Sequence, residues 1–167
     1  YNSDDYSLVV NLSSSTNYNN ETEENGTFAS ADQVQLGTEI KGQLASTTDW
    51  DVFSFTLGAP SLVTAAFEAP TDSNSDYFFI GLYNSDFEIL AANYTGKDLS
   101  FNAGADSAGV YYAAVYTGTN YTSEQYGLTI TSQAGSLFEV ETEKNDSFQS
   151  ADVLKLDTNI KGQLLSA

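Results

Sequence analysis

The sequence predicts an all-β fold, an antiparallel β-sandwich or jelly roll of about eight or nine short strands. Two patterns carry this expectation. Apolar and aromatic residues alternate with polar ones in runs of about five to eight residues, separated by Gly, Asn, Asp and Ser, which suits half-buried strands and not helices. A 24-residue stretch also returns, much of it unchanged, at an offset of 120 residues, so the chain is organised as a long-period repeat. Only residues 27–32 read as a possible helical turn.

The repeated stretch is 21–44, ETEENGTFASADQVQLGTEIKGQL, matched without a gap by 141–164, ETEKNDSFQSADVLKLDTNIKGQL; fifteen of the 24 positions are identical. The same offset aligns 1–10 with 121–130. The organisation expected is the last strand of a preceding repeat plus a linker over 1–20, one complete sandwich over 21–133, and a linker with the first part of a following repeat over 134–167. Residues 6–12 read as that preceding strand. Residues 13–20, SSSTNYNN, are polar and of low complexity, as linkers are.

Strand signals follow in order. Val34, Leu36, Ile40 and Leu44 flank Gly37 and Gly42. Residues 51–57 place Phe53, Phe55 and Leu57 on one face, and 62–68 do the same with Val63, Ala65 and Phe67. Further strands are expected over 77–83, 87–91, 99–101, 109–117 and 126–131. In 109–117, Val110, Tyr112, Ala114 and Tyr116 share one face while Tyr111, Ala113 and Val115 share the other. Two apolar faces need two covers: one row binds a ligand, a neighbouring unit covers it, or loops and cross-strand neighbours shield it.

Hydrophobic residues make up 41% of the chain, which marks a folding composition and not a disordered one. Twenty-three Asp and Glu stand against five Lys, with no Arg and a net charge of −18. Such a surface repels nucleic acid and anionic membranes and suits divalent cations or a salty exterior. There is no Cys and no His, so neither a disulfide framework nor a Ser-His-Asp or Cys-His arrangement can form. No G-x-S-x-G or phosphate-binding loop occurs. Paired carboxylates can serve glycoside hydrolysis, but among so many acids they read as surface charge, and no enzyme is expected. No apolar run is long enough to insert in a membrane.

Glu21, Glu23 and Asn25 lie at i, i+2 and i+4, so an extended chain points all three oxygen-bearing groups to one side. A straight strand spreads them over roughly 13 Å at about 3.3 Å per residue, whereas one calcium ion takes six to eight oxygens at about 2.3–2.6 Å. A bend, a second ion or ligands from elsewhere are therefore required, and Asp49 and Asp51 in TTDWDVF offer the last. The alternative is a solvated acidic linker followed by a strand-capping Asp pair. An EF-hand loop fits Glu21, Glu23, Asn25, Gly26 and Asp32, but Asp146 stands where the second copy needs glycine, and the flanks do not read as helices. Asp72, Asn74 and Asp76 read as a polar loop tip. Of six N-x-[ST] sequons, Asn25 and Asn145 fall in the acidic motif; Asn93 and Asn120, in turn-like contexts, are better glycan acceptors than these, with Asn11 and Asn20 as further candidates.

The order E-T-E-x-N-[GD]-[ST], A-D-x-x-x-L, I-x-G-x-L, D-x-D-x-F-x-F, G-V-Y-Y-x-x-V and Y-x-L-x-I, spanning 21–131, resembles the bacterial pre-peptidase C-terminal domain and its collagen-binding relatives in clostridial collagenases. The resemblance implies a calcium-binding β-sandwich from secreted prokaryotic hydrolases and surface proteins. It implies metal ligands at Glu21, Glu23, Asn25, Asp49 and Asp51, and at Glu141, Glu143, Asn145 and Asp146 for the next unit, whose Asp pair would fall at 169 and 171. Gly26 departs from the Asp that the collagen-binding relatives tend to carry. The function expected is a non-catalytic, calcium-stabilised spacer, stalk or fibre unit of a secreted or cell-surface prokaryotic protein, packing on adjacent repeats or neighbouring copies. The alternative is a module tethering a secreted hydrolase to collagen, a polysaccharide or another extracellular polymer.

Overall fold

The computed structural model describes residues 7, 19–70, 78–117, 124–135, 140–162 and 164. Within them the chain is all-β, with nine strands and no helix. In order these are β1 (Asp32–Gln33), β2 (Glu39–Gly42), β3 (Trp50–Leu57), β4 (Ser61–Glu68), β5 (Phe78–Tyr83), β6 (Ile89–Thr95), β7 (Leu99–Ala105), β8 (Gly109–Thr117) and β9 (Tyr126–Ala134). One sheet runs β1-β3-β8-β5-β6 and the other β2-β9-β4-β7. All pairings between these strands are antiparallel except β1 with β3, which is parallel. Apart from Ser7, the strand expected over 6–12 lies outside the described residues. So do linker residues 13–18, Asn11, Asn120 and the Asp72, Asn74, Asp76 cluster.

The period-two alternation builds the core directly, because successive side chains on a strand point to opposite faces. On β3, Asp51, Phe53, Phe55 and Leu57 all face inward and are at most 2% exposed. Val63, Ala65 and Phe67 of β4 and Leu128 and Ile130 of β9 meet them from the other sheet. Phe78, Ile80 and Leu82 of β5 and Tyr111, Ala113 and Val115 of β8 complete the layer.

Alternation misplaces some strand bounds. It predicts strands over 87–91 and 99–101, but β6 begins at Ile89 and runs to Thr95, and β7 runs on to Ala105. Asn84 closes a turn before β6, its Oδ1 accepting the N–H groups of Asp86 (2.9 Å) and Glu88 (3.0 Å). Phe87 takes a left-handed φ of 65° in that turn, and its ring stacks back on Phe28. The possible helix at 27–32 is a single turn, closed by Ser30 N–H donating to Thr27 O at 3.1 Å.

The two outer faces differ in chemistry. On the four-stranded sheet the outer face carries an ion-pair bridge, with Lys41 Nζ linking Glu39 (2.8 Å) and Glu68 (2.9 Å). On the five-stranded sheet a second apolar cluster forms, where Val52, Phe79, Tyr83 and Ala114 are buried beneath Phe28, Ala31, Tyr112 and Tyr116. Of the three covers the alternation of 109–117 left open, loop and cross-strand shielding serves most of this row. Phe28 sits over it, 5.2 Å from Tyr83 and 5.1 Å from Tyr112 between ring centroids. Beyond the loop the cover stops. Trp50 stacks on Tyr116 at 4.0 Å, Tyr116 on Phe79 at 4.5 Å, and Phe79 meets Tyr94 at 5.1 Å. Trp50 is 37% and Tyr94 65% exposed.

Phe53 and Phe87 therefore separate by burial, at 0% and 51% exposure. Phe53→Ala is expected to cost about 3–5 kcal/mol, as buried Phe truncations do. Phe87→Ala, losing a half-exposed ring that touches Phe28 and Tyr112, should cost clearly less. Urea unfolding of the two variants measures the difference, and equal costs would contradict this core assignment.

Candidate metal centre

The alternation that builds the core also buries a carboxylate in it. Asp51 takes the inward position two residues before Phe53 and is fully buried. Strand β9 delivers Tyr126 beside it, and the Tyr126 hydroxyl donates to Asp51 Oδ2 at 2.6 Å. Strand β2 delivers Gly42, paired with Tyr126 in the β2–β9 register. A Cβ at position 42 would collide with the Tyr126 hydroxyl and lie 2.8 Å from Glu21 Oε2. Glycine leaves the space that both groups fill. Glu21 enters along the free edge of β2, its N–H donating to Lys41 O at 3.0 Å and its Oε1 accepting from Gln43 N–H. The cluster thus closes one end of the sandwich with groups from both sheets.

Glu23 joins them. One oxygen from each of Glu21, Glu23 and Asp51 lies within 4.8 Å of the others, so the chain bends where a straight strand would have spread its ligands. Asn25 is buried next to this trio in sequence, its backbone carbonyl accepting from Val52 N–H at 3.3 Å and its side-chain Nδ2 donating to Asp32 Oδ2 at 3.5 Å. Asp49 stands at the rim. Its Oδ2 caps the turn before β3 by accepting from Ala45 N–H at 2.6 Å.

Among the described residues, three buried side-chain atoms have no hydrogen-bond partner: Glu21 Oε2, Asn25 Oδ1 and Asp51 Oδ1. All three are acceptors. Leaving such a group unpaired costs about 1–3 kcal/mol, more when charged, so the cluster needs a proton or a cation. Without a cation, protons take that place. Burial, and then the charge of Asp51, pushes the Glu21 carboxyl from 4.5 up to about 9. Burial pushes Asp51 from 3.8 to about 6, against the hydrogen bond from Tyr126 and the one that a protonated Glu21 carboxyl donates. Glu23 is raised as well, by burial and then by Asp49. A donor set made only of carboxylate and amide oxygens is suited to a hard divalent cation.

Sequence reasoning placed Asp32 only in a rejected EF-hand loop and gave Gly42 and Tyr126 no role at this site. Asp32 staples the acidic segment, accepting from Thr22 N–H (2.6 Å) and the Thr22 hydroxyl (2.7 Å) as well as from Asn25. All three residues recur at the 120-residue offset, as Asp152, Gly162 and Tyr6. That recurrence was the available signal. The second copy repeats the local geometry: Asp152 accepts from Thr142 N–H at 2.8 Å and from the Asn145 amide at 3.3 Å. Asn145 also donates to Glu141 Oε2 at 3.3 Å. Burial and then Glu141 raise Glu143, while Asp146 is exposed. No carboxylate trio like the first gathers there among the described residues, where no counterpart of β3 is present to supply an Asp51.

The sequons sort by burial. Asn25 is fully buried and closed to a glycan. Asn93 is not in a turn, as its sequence context suggested, but within β6, the edge strand of its sheet, paired with Ile80. Asn20 is exposed and pairs with Lys41.

A pH dependence follows for the cation-free chain. Glu21 and Asp51 bind protons more tightly folded than unfolded, with carboxyls raised to about 9 and about 6. The stability they add is complete below the ordinary carboxylate range and is lost as pH climbs through those raised values. In chelator the melting temperature should fall between pH 5 and pH 8.5, and Glu21→Gln should flatten the slope. A wild-type melting temperature that rises over this range would contradict the buried carboxyl pair.

No family model matches the chain, and no curated protein does. Among solved structures it is similar to Aeromonas hydrophila PliG, a periplasmic inhibitor of g-type lysozyme, with 14% identity over 62% of this chain and 96% of that one and a TM-score of 0.45. It is also similar to the pre-peptidase C-terminal domain of a Bacillus anthracis collagenase, with 22% identity over 60% of this chain and 94% of that one and a TM-score of 0.48.

Proposed function

We propose that this chain is a non-catalytic, calcium-stabilised β-sandwich repeat, a spacer, stalk or fibre unit of a secreted or cell-surface protein. One observation carries the reading: three buried acceptor oxygens without donors lie on Glu21, Asn25 and Asp51, and the first and last of these share a carboxylate trio with Glu23. Glu21, Glu23, Asn25 and Asp51 would hold the ion, with Asp49 as a rim ligand. Calcium fits the all-oxygen set better than magnesium, which prefers near-ideal octahedral geometry and retains its waters. The ion would replace the protons on the buried carboxyls and fasten the entry segment to the end of the sandwich. The internal repeat supports the structural role, because arrays of like units extend a protein.

Calcium at 100 times its dissociation constant should raise stability by about 2.7 kcal/mol. It should also slow proteolysis near Asn20. Asp51→Asn should abolish both effects, and an unchanged melting temperature and cleavage rate in calcium and in chelator would overturn the reading.

A second reading, a polymer-binding accessory module, is favoured by the partly exposed ladder of Trp50, Tyr116, Phe79 and Tyr94. Aromatic faces with open sides bury apolar ligand surface at little cost in side-chain entropy. Trp50→Ala with Tyr94→Ala should then abolish co-sedimentation with insoluble collagen or polysaccharide while the calcium response persists. Absence of wild-type co-sedimentation with any such polymer would remove this reading.

A further inference from the structure

Two isolated strand pairings bracket residues 140–142. Val140 pairs in parallel with Lys161 of its own repeat, as Asn20 does with Lys41. The hydrogen bond is the same in both: Glu141 N–H donates to Lys161 O at 2.9 Å, and Glu21 N–H to Lys41 O at 3.0 Å. Two residues after Val140, Thr142 pairs in parallel with Gly104. Gly104 belongs to β7, the edge strand of the four-stranded sheet, and is nevertheless buried. A Cβ on Gly104 would lie 2.7 Å from the Glu141 carbonyl oxygen and 2.8 Å from Thr142 Cγ2, so the approach requires glycine. Nearby, the Lys144 ammonium pairs with Glu88 on the turn before β6.

We infer that consecutive repeats are joined edge to edge, with 140–142 as a shared strand that carries the four-stranded sheet of one sandwich into the next. The partner surface is the β7 edge with its glycine, and the partner is a further repeat of this chain. Residues 20–22 hold the same pairing with β2 and present Thr22 to a preceding repeat. The ion pair is specific to one junction: Glu24 stands where Lys144 does, so it could not pair with an acid in the place of Glu88. Occupying β7 in this way also removes an open strand edge, which would otherwise invite uncontrolled pairing. The inference rests on the tandem-repeat part of the proposed function but not on the cation, since the contacts use only protein groups.

The chain has no cysteine, so spin labels at Ser132→Cys and Gln149→Cys would be the only thiol adducts. Electron–electron dipolar distances should form one narrow distribution both in chelator and in calcium. Gly104→Val should broaden it while the near-ultraviolet circular dichroism of the sandwich stays native. A broad wild-type distribution in either buffer, or a narrow one retained by folded Gly104→Val, overturns the shared strand. If the variant does not fold, the wild-type distribution alone decides. Failure of the calcium reading appears separately, as a melting temperature indifferent to calcium beside an intact narrow distribution.

Discussion

A carboxylate buried at the end of an apolar core is the constraint around which this sandwich is assembled. Asp51 occupies a position that its strand's alternation reserves for an apolar side chain, and it is fully enclosed. Tyr126 gives it one hydrogen bond, Gly42 makes room for Tyr126 and Glu21 together, and Glu21 is anchored to the edge of β2. Each of these residues is placed by a different strand or edge. The two sheets therefore meet at a polar seal whose members depend on one another, and a charge left alone there would destabilise the fold more than an exposed ion pair could repay.

The acidic segment is a module in its own right. The Thr22 and Asp32 pair of hydrogen bonds recurs as Thr142 and Asp152, and the Thr27–Ser30 turn recurs as Ser147–Ser150. The same short-range hydrogen bonds thus form in both copies. Thr22, Asp32 and Ser30 of these local bonds are identical at the 120-residue spacing, whereas Glu24 is replaced by Lys144, which pairs with Glu88.

Fold class and most strands were legible because half-buried strands write their periodicity into the sequence: β3, β4, β8 and the start of β9 fall where Phe53, Val63, Tyr111 and Leu128 place them. The end of β9 and the turn at Phe87 were not legible, since exposed polar residues continue a strand, and an aromatic residue occupies a turn, without disturbing alternation. At the site, Glu21, Glu23 and Asp51 were legible from the chemistry of clustered oxygens. Tyr126 was hidden because an inward aromatic residue on a core strand reads as packing. Asp32 was hidden because its partners are a threonine ten residues earlier and a backbone N–H, which no spacing rule links to a carboxylate. Asn93 misled for the converse reason: an edge strand and a turn present similar polar sequences.

Trp50 is the chain's single tryptophan. Its indole lies nearly parallel to the Tyr116 ring, at an interplanar angle of 7°, and in sequence it sits between Asp49 and Asp51. The fluorophore is thus 37% exposed, stacked on a tyrosine ring, and on the face of β3 opposite the buried Asp51. Its emission is a native optical gauge of the aromatic ladder on that outer face, unconfused by any second indole, and it needs no added probe.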